Sequence, residues 1–392
     1  MKNLNVLISG ASVAGPALAY WLKRYGHTPV VVERAPAIRP GGYAVDFRGA
    51  ALHALDRMGL LNEVRAHATN MGDITYVGRT GRPIARIPSV ALSGELEILR
   101  GDLVELLYQR TRHDVEYIFN DSITSIVDSS DGAHVTFEHS TPRTFDLVIG
   151  ADGLHSNVRR LVFGEESNFT HDLGLYASVF TTPNHLGLDH TGQFYNVPGK
   201  VAGMYSARNN SEAKSLLYFA SPPLSYDRRD TSQQKKLVRD AYIGMEWEVP
   251  RILSGLDSAP DFYFDSVTQI LMPAHHRGRV ALVGDAGYCA SPLSGMGTSL
   301  ALVGAYVLAG ELHATAGDHV TAFPSYDKEM RPYIEACQKQ GKGGVTWFVP
   351  KSKSWLRFRN LNLRLMALLP GDGIAAKLAL KAANAITLKD YK

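Results

Sequence analysis

The feature that most constrains this chain is the stretch Gly10-Ala11-Ser12-Val13-Ala14-Gly15, set between an apolar run from Leu4 to Ile8 and an apolar segment from Ala14 to Tyr25. A short uninterrupted apolar run suits a strand buried on both faces, and the longer segment reads as a helix, with Pro16 in the first turn, where its missing N–H is no loss. Gly26 suits the helix stop, and Thr28 to Val32 reads as a second β-branched strand closing on Glu33. The result is a βαβ unit. A glycine turn in this setting aims unpaired backbone N–H groups and the positive end of the helix at a phosphate, while an acid closing the second strand accepts ribose hydroxyls. Gly10, Ala14, Gly15 and Glu33 occupy those places, but Ser12 replaces the middle glycine. Its Cβ either pushes the phosphate outward or its hydroxyl donates to it; the alternative is a turn that binds nothing. Glu33, in place of a basic residue, favours a free 2′-hydroxyl, hence NAD or FAD over NADP at this turn. Arg34 beside it is compatible with stacking on an adenine or with plain surface.

The pattern of strand followed by glycine and acid recurs twice. Phe145 to Ile149 runs into Gly150-Ala151-Asp152-Gly153, and Arg279 to Val283 runs into Gly284-Asp285, ahead of Pro292-Leu293-Ser294-Gly295-Met296-Gly297 and a small-residue helix from Gly297 to Leu312. A further helix is expected over Gly101 to Arg112. Between these, Leu173 to Met272 is dense in Tyr and Phe and broken by Pro and Asn, apart from a helical pattern over Ser232 to Met245. It reads as an antiparallel sheet with one aromatic face. The end of the chain, Lys351 to Lys392, is basic and Leu/Ala-rich, with a break at Pro370-Gly371-Asp372-Gly373 that suggests two helices joined by a turn.

Composition narrows the field further. The 392 residues carry 41 Lys+Arg against 38 Asp+Glu, a net charge of +3 that names no nucleic-acid partner. Cys289 and Cys337 supply neither a disulfide framework nor a zinc site, so a reducing cytoplasm is expected and no metal. Lys2 and the apolar run to Leu22 are interrupted by Gly10, Gly15 and Pro16, and read as folded structure, not a signal peptide. There is no Gly-x-Ser-x-Gly elbow, no His-Glu-x-x-His helix and no Gly-Lys-Ser/Thr loop.

Taken together, the glycine turn ending at Glu33, the segment Asp146 to Arg159 with Asp152 at its centre, and the Gly284 to Gly297 segment resemble the group A flavoprotein aromatic hydroxylases over most of the chain up to Leu312. Within that family, Leu173 to Leu312 looks most like the tetracycline-inactivating flavin monooxygenases. The resemblance implies an α/β fold: a Rossmann-like FAD-binding domain from 1–72, 98–170 and 273–325, an antiparallel-sheet substrate domain from 73–97 and 171–272, and C-terminal helices over 326–392 that bridge the two. It implies that Asp285 accepts hydrogen bonds from the flavin ribityl chain, and that Gly295, Met296 and Gly297 bring backbone N–H groups to the isoalloxazine carbonyls. Pro292 would stiffen that loop, Arg100 would reach the cofactor, and Arg48 would lie beside the ring as its gate. Asp152 would contact the cofactor or hold its own turn.

The activity implied is an FAD-dependent, NADPH- or NADH-consuming monooxygenase that hydroxylates an aromatic, phenolic or enolic polycycle with dioxygen through a C4a-hydroperoxyflavin, tetracycline-type antibiotics included. A flavin reductase or halogenase, or an FAD-holding protein that only sequesters a drug, are the alternatives. From position, Gln193, Tyr195, Tyr205, Arg208 and Phe219 are expected to face the substrate. A monomer or weak dimer is expected. The basic C-terminal stretch reads as helices covering the substrate entrance, in preference to a membrane-surface helix.

Overall fold

The computed structural model describes residues 2–38, 41–89, 94–366 and 381–391. Asn5–Ser9 is an inner strand of a six-stranded sheet, paired in parallel with Thr28–Glu33 on one side and Leu147–Gly150 on the other. Val280–Leu282 follows Leu147–Gly150 in the same direction, and only the edge strand His276–Arg277 runs antiparallel. The strands are apolar throughout because both faces are covered. Val6 and Ile8 point into a core with the helices Ala14–Arg24 and Gly297–Ala314, whereas Leu7 packs with Val30, Val135 and Phe145 beneath a three-stranded antiparallel sheet. The Gly297–Ala314 helix is buried from Ser299 to Leu312. It lies among Ala14–Arg24, Ala50–Arg57 and the long helix His319–Phe348, which explains its small-residue composition.

The second large sheet has seven strands in the order Phe262–Ile270, Thr170–Thr182, Glu212–Ala220, Lys200–Ala207, Gly192–Val197, Ile74–Val77 and Pro83–Ile87. All neighbours are antiparallel except Ile74–Val77 with Gly192–Val197. The expectation of a single aromatic face is corrected: both faces are aromatic. Tyr176, Phe180, Tyr195, Phe219 and Phe264 pack beneath the helices Thr231–Tyr242 and Val249–Ser254, whereas Phe194, Tyr205 and Tyr218 belong to the opposite face with Leu293, Val345 and Phe348. Consecutive strand residues point to opposite faces, so Tyr218 and Phe219 cannot share one.

Beyond the sheets, His319–Phe348 crosses from the parallel sheet to the aromatic one. Gln338 Nε2 donates to the Ile270 carbonyl (2.8 Å), and the Phe348 ring lies 5.1 Å from Tyr218. The helix Lys353–Met366 then turns back along the sheet edge, where the Arg359 guanidinium sits 3.9 Å over the Tyr76 ring and Arg364 Nε donates to the Ile84 carbonyl (2.6 Å). The turn expected at Pro370–Gly373 lies outside the described residues. Residues 381–391 return to the first sheet, where Lys389 pairs with Glu311 and Glu329, both at 2.9 Å.

The two large sheets are also tied by charge. His155, just after the second glycine turn, sits between Glu166 (3.0 Å) and Asp265 of the aromatic sheet (2.8 Å), while Arg159 and Arg228 also reach Glu166. Burial opposes the imidazolium, but hydrogen bonds to Asp265 and Glu166 outweigh it and raise its pKa to about 9. A raised folded-state value means that the charged form stabilises the fold fully below the unfolded value of about 6.5 and that the gain is lost as pH rises through about 9. His155→Gln should therefore cost about 1–2 kcal/mol of unfolding free energy at pH 6, and the difference from the parent should shrink toward pH 10. Denaturant titrations at the two pH values check this; a pH-independent difference refutes the charged latch.

Candidate active site

Three parallel strands end side by side, and the first of the turns that follow is packed so tightly that a side chain is excluded at Gly10 and at Gly15. Gly10 adopts φ +109°, and a Cβ there would stand 2.5 Å from the Ala151 carbonyl oxygen; one on Gly15 would stand 1.9 Å from the Gly10 carbonyl oxygen. At the third strand end, Gly284 lies against Ala14. The first βαβ turn and the two later glycine-acid turns thus form one cradle.

Polar side chains close its sides. Glu33 accepts from the backbone N–H of Ala11 (2.9 Å) and of Ala35 (2.8 Å), which holds its carboxylate against the glycine turn. Arg100, at the start of its helix, reaches across and donates to the Ser12 hydroxyl (2.7 Å). Arg34 is exposed. Asp152 holds its own turn and ties it to the first strand: it accepts from Ser156 Oγ (2.5 Å), the Val158 N–H (3.0 Å) and Ser9 Oγ (3.3 Å). Its neighbour in the motif, Arg159, is fully buried and donates to the Ala286 carbonyl (2.8 Å), clamping the second strand end to the loop after the third.

Asp285 lies partly buried at the start of a short turn of helix. Burial pushes its carboxyl up, offset by the Cys289 thiol and by Arg100. The following loop is shaped by Ser294, whose hydroxyl accepts from the Met296 N–H (3.1 Å), and by Gln340 Nε2, which donates to the Ser294 carbonyl (2.6 Å). Pro292 is exposed on this loop, and Met296 is buried beneath it. Behind Gly295 stands the pair Asp46–Arg48, joined at 2.7 Å and almost wholly buried. Burial raises the Asp46 carboxyl, and the Arg48 charge opposes that.

The five residues expected to face substrate divide. Tyr205 does lie on the face toward this loop, and its hydroxyl accepts from the Ala44 N–H (3.3 Å). Tyr195 and Phe219 are instead in the core behind the sheet, and Gln193, two residues before Tyr195, shares its side of the strand. Arg208 is at the rim, paired with Asp102 at 2.9 Å. Tyr43, Tyr218 and Tyr263 lie on the same side as Tyr205: the rings of Tyr43 and Tyr263 are tilted at 58° with centroids 5.9 Å apart, and burial raises the phenols of Tyr43 and Tyr218. Counting alternate residues along Lys200–Ala207 and Glu212–Ala220 from Tyr205, which pairs with Lys214, would have selected Tyr218 and rejected Phe219. Asp46 and Tyr43 lay in the segment that supplied Arg48 but carried no spacing signal of their own.

Whether FAD suits this cradle is answered by its donors. The helices Ala14–Arg24 and Gly297–Ala314 both begin without a side-chain cap and without an acid in the first turn, so their N-terminal N–H groups and dipoles remain available for anionic groups. The turn from Gly10 to Gly15, with the Ser12 hydroxyl and the Arg100 guanidinium beside it, fits a pyrophosphate, and Glu33 fits a ribose. Among the described residues, no group of three His, Cys, Asp or Glu stands where it would hold a metal ion.

The family model for the FAD binding domain matches residues 3–340. The chain belongs to this FAD-binding family. A flavin-dependent monooxygenase of Legionella longbeachae serogroup 1 (strain NSW150) is 42% identical over 344 residues, covering 87% of this chain and 88% of the relative. An uncharacterized protein of Mycobacterium tuberculosis (strain ATCC 25618 / H37Rv) is 50% identical over 339 residues, 85% of this chain and 91% of the relative. The crystal structure of tetracycline destructase Tet(55) superposes with a TM-score of 0.86 at 39% identity, covering 99% of both chains. This flavoprotein is an FAD-dependent monooxygenase.

Two substitutions test the cradle. Asp285→Ala should leave the purified flavoprotein with at most about a tenth of its flavin, equivalent to losing about 1.4 kcal/mol or more of binding, as read from its visible absorption; a fully yellow preparation refutes the assignment. Gly341, inside His319–Phe348, brings the helix so close to Ala290 and Ser291, just before the Pro292–Gly297 loop, that a Cβ would lie 2.2 Å from the Ala290 carbonyl oxygen. A helical Gly→Ala change ordinarily stabilises by about 1 kcal/mol. Gly341→Ala should do the reverse here, lowering both Tm and flavin retention.

Proposed function

We propose that this FAD-dependent monooxygenase takes reducing equivalents from NADPH or NADH and inserts one atom of dioxygen into an aromatic, phenolic or enolic polycyclic molecule in the cytoplasm, with tetracycline-type antibiotics among its substrates. Bound FAD would supply the electron transfer and oxygen activation that no side chain provides. The observation that carries the reading is the apolar aromatic wall of Tyr205, Tyr218 and Phe348, brought against Leu293 of the Gly284–Gly297 segment by the second sheet and the long helix. Tetracycline destructases Tet(51) and Tet(55), at 36% and 39% identity, support the choice of substrate class.

The chain's own residues have three tasks. Gly10, Ser12, Ala14, Gly15, Glu33 and Arg100 hold the nucleotide half of the cofactor, with Arg34 at the rim and Asp152 fixing the shape of the neighbouring turn. Gly284, Asp285, Pro292, Gly295, Met296 and Gly297 hold the flavin half, where the N-terminus of the Gly297–Ala314 helix favours negative charge on the ring. Arg48, fixed by Asp46, is the cation beside the ring. The third task is dryness: Tyr43, Tyr205, Tyr218 and Phe348 shield the reacting atoms from water, which otherwise diverts the reduced cofactor and oxygen to hydrogen peroxide. Tyr205 is retained from the expected substrate contacts, and Arg208, paired with Asp102, belongs to the approach to the site.

The decisive assay is NAD(P)H oxidation with matched oxygen uptake by the holoenzyme, with and without phenolic polycycles and tetracyclines. A productive substrate should raise both rates together and yield a product heavier by one oxygen atom. Tyr218→Ala should keep its flavin but shift at least half of the NAD(P)H consumed toward hydrogen peroxide. Oxidation that no polycycle stimulates, with no product gaining oxygen, overturns the proposal.

A further inference from the structure

The helix Lys353–Met366 has two unlike faces. Its inner face is pinned to the aromatic sheet by Arg359, which is buried to 1% exposure, stands over Tyr76 and donates to the Trp347 carbonyl (3.1 Å). Its outward face is apolar. Phe358 is 50% exposed, Leu361 54% and Leu365 53%, at the three- and four-residue spacing that aligns them in one stripe, and Trp347 beside them is 43% exposed. Trp355 joins the row, its ring 6.4 Å from Trp347 and 5.1 Å from Phe358, with its indole N–H donated to the Thr346 carbonyl (2.9 Å). A contiguous exposed apolar row of this kind marks an interaction surface.

The charges around the stripe say what it meets. From 351 to 366 the sequence carries Lys351, Lys353, Arg357, Arg359 and Arg364 and no Asp or Glu. Lys351, Lys353 and Arg357 are exposed. A two-fold contact between copies through this helix would set this cationic segment against itself with no acid in it to neutralise the charge, which disfavours a self-association face. An apolar stripe with tryptophans at one end and cations along its flank suits a bilayer surface, where indole rings lie at headgroup level and lysines and arginines meet anionic lipid. No helix among the described residues is long and apolar enough to cross a membrane, so the contact would lie on the surface.

We propose that the outward face of Lys353–Met366, with Trp347 and Trp355, docks this enzyme on an anionic lipid surface. Insertion of Phe358, Leu361 and Leu365 gives the hydrophobic part of the affinity, and Lys351, Lys353 and Arg357 give the dependence on lipid charge and salt. Because Arg359 ties the helix to Tyr76, docking would hold the aromatic-sheet side of the enzyme close to the lipid, where a hydrophobic polycyclic substrate accumulates.

The test is co-sedimentation of the full-length, FAD-loaded protein with vesicles of phosphatidylcholine alone and of equimolar phosphatidylcholine and phosphatidylglycerol. The parent should pellet with the anionic vesicles, remain in solution with phosphatidylcholine, and be released by high salt. F358S/L361S/L365S should lose pelleting while its flavin content and circular dichroism match the parent. K353Q/R357Q should weaken partitioning roughly tenfold or more, as expected for two cations at an anionic surface. Absence of pelleting with anionic vesicles overturns the proposal, as does equal pelleting by the triple serine variant. Light scattering that shows a parent dimer converted to monomer by the same three substitutions overturns it in favour of a second copy.

Discussion

The register of three parallel strands governs everything else in this molecule. Ile8 stands opposite Ile149, and Ile149 opposite Ala281, so Ser9, Gly150 and Leu282 finish together and their turns open onto one place. A slip of one residue in either pairing would turn the core side chains to the wrong face and carry Gly10, Asp152 or Asp285 out of line. The hydrogen bond from Arg100 to Ser12, the hold of Ala11 and Ala35 on Glu33, and the clamp of Arg159 on Ala286 all depend on that alignment.

What the sequence revealed and what it hid follow from the range of the interactions involved. The glycine turns, the flanking strands and the following helices were legible because each is specified within about fifteen residues by local sterics and periodicity. Ser12 looked like a defect in the phosphate turn, and only the approach of Arg100, from 88 positions further on, shows its hydroxyl engaged. The aromatic sheet was recognisable as a sheet, but its facing was not. Position along the chain suggests Tyr195 and Phe219 as substrate contacts, but strand alternation assigns them to the side covered by the helix Thr231–Tyr242. Asp46 and Tyr43 gain significance only once Gly295 and Tyr263 have been brought to them by folding.

The long helix His319–Phe348 connects the two halves energetically. Its backbone comes close to Ala290 at Gly341 and to Leu293 at Gly344, its side chains bond to Ile270 and Ser294, and its last aromatic residue packs against Tyr218. The shape of the Pro292–Gly297 loop and the packing of the aromatic wall beside it are therefore one problem. Substitutions along this helix should alter both together, whereas changes to the far side of the aromatic sheet act through stability.

The parallel sheet is assembled from segments widely separated in the chain. Val280–Leu282 pairs with Leu147–Gly150, and the helix that covers their ends starts only at Gly297. While the polypeptide is being made, the earlier strands must wait with an unpaired edge and an uncovered apolar face until the last partners emerge from the ribosome. High contact order of this kind slows folding and leaves intermediates prone to aggregation. Yield in a foreign host should accordingly be governed by chaperone capacity and synthesis temperature more than by the stability of the finished enzyme.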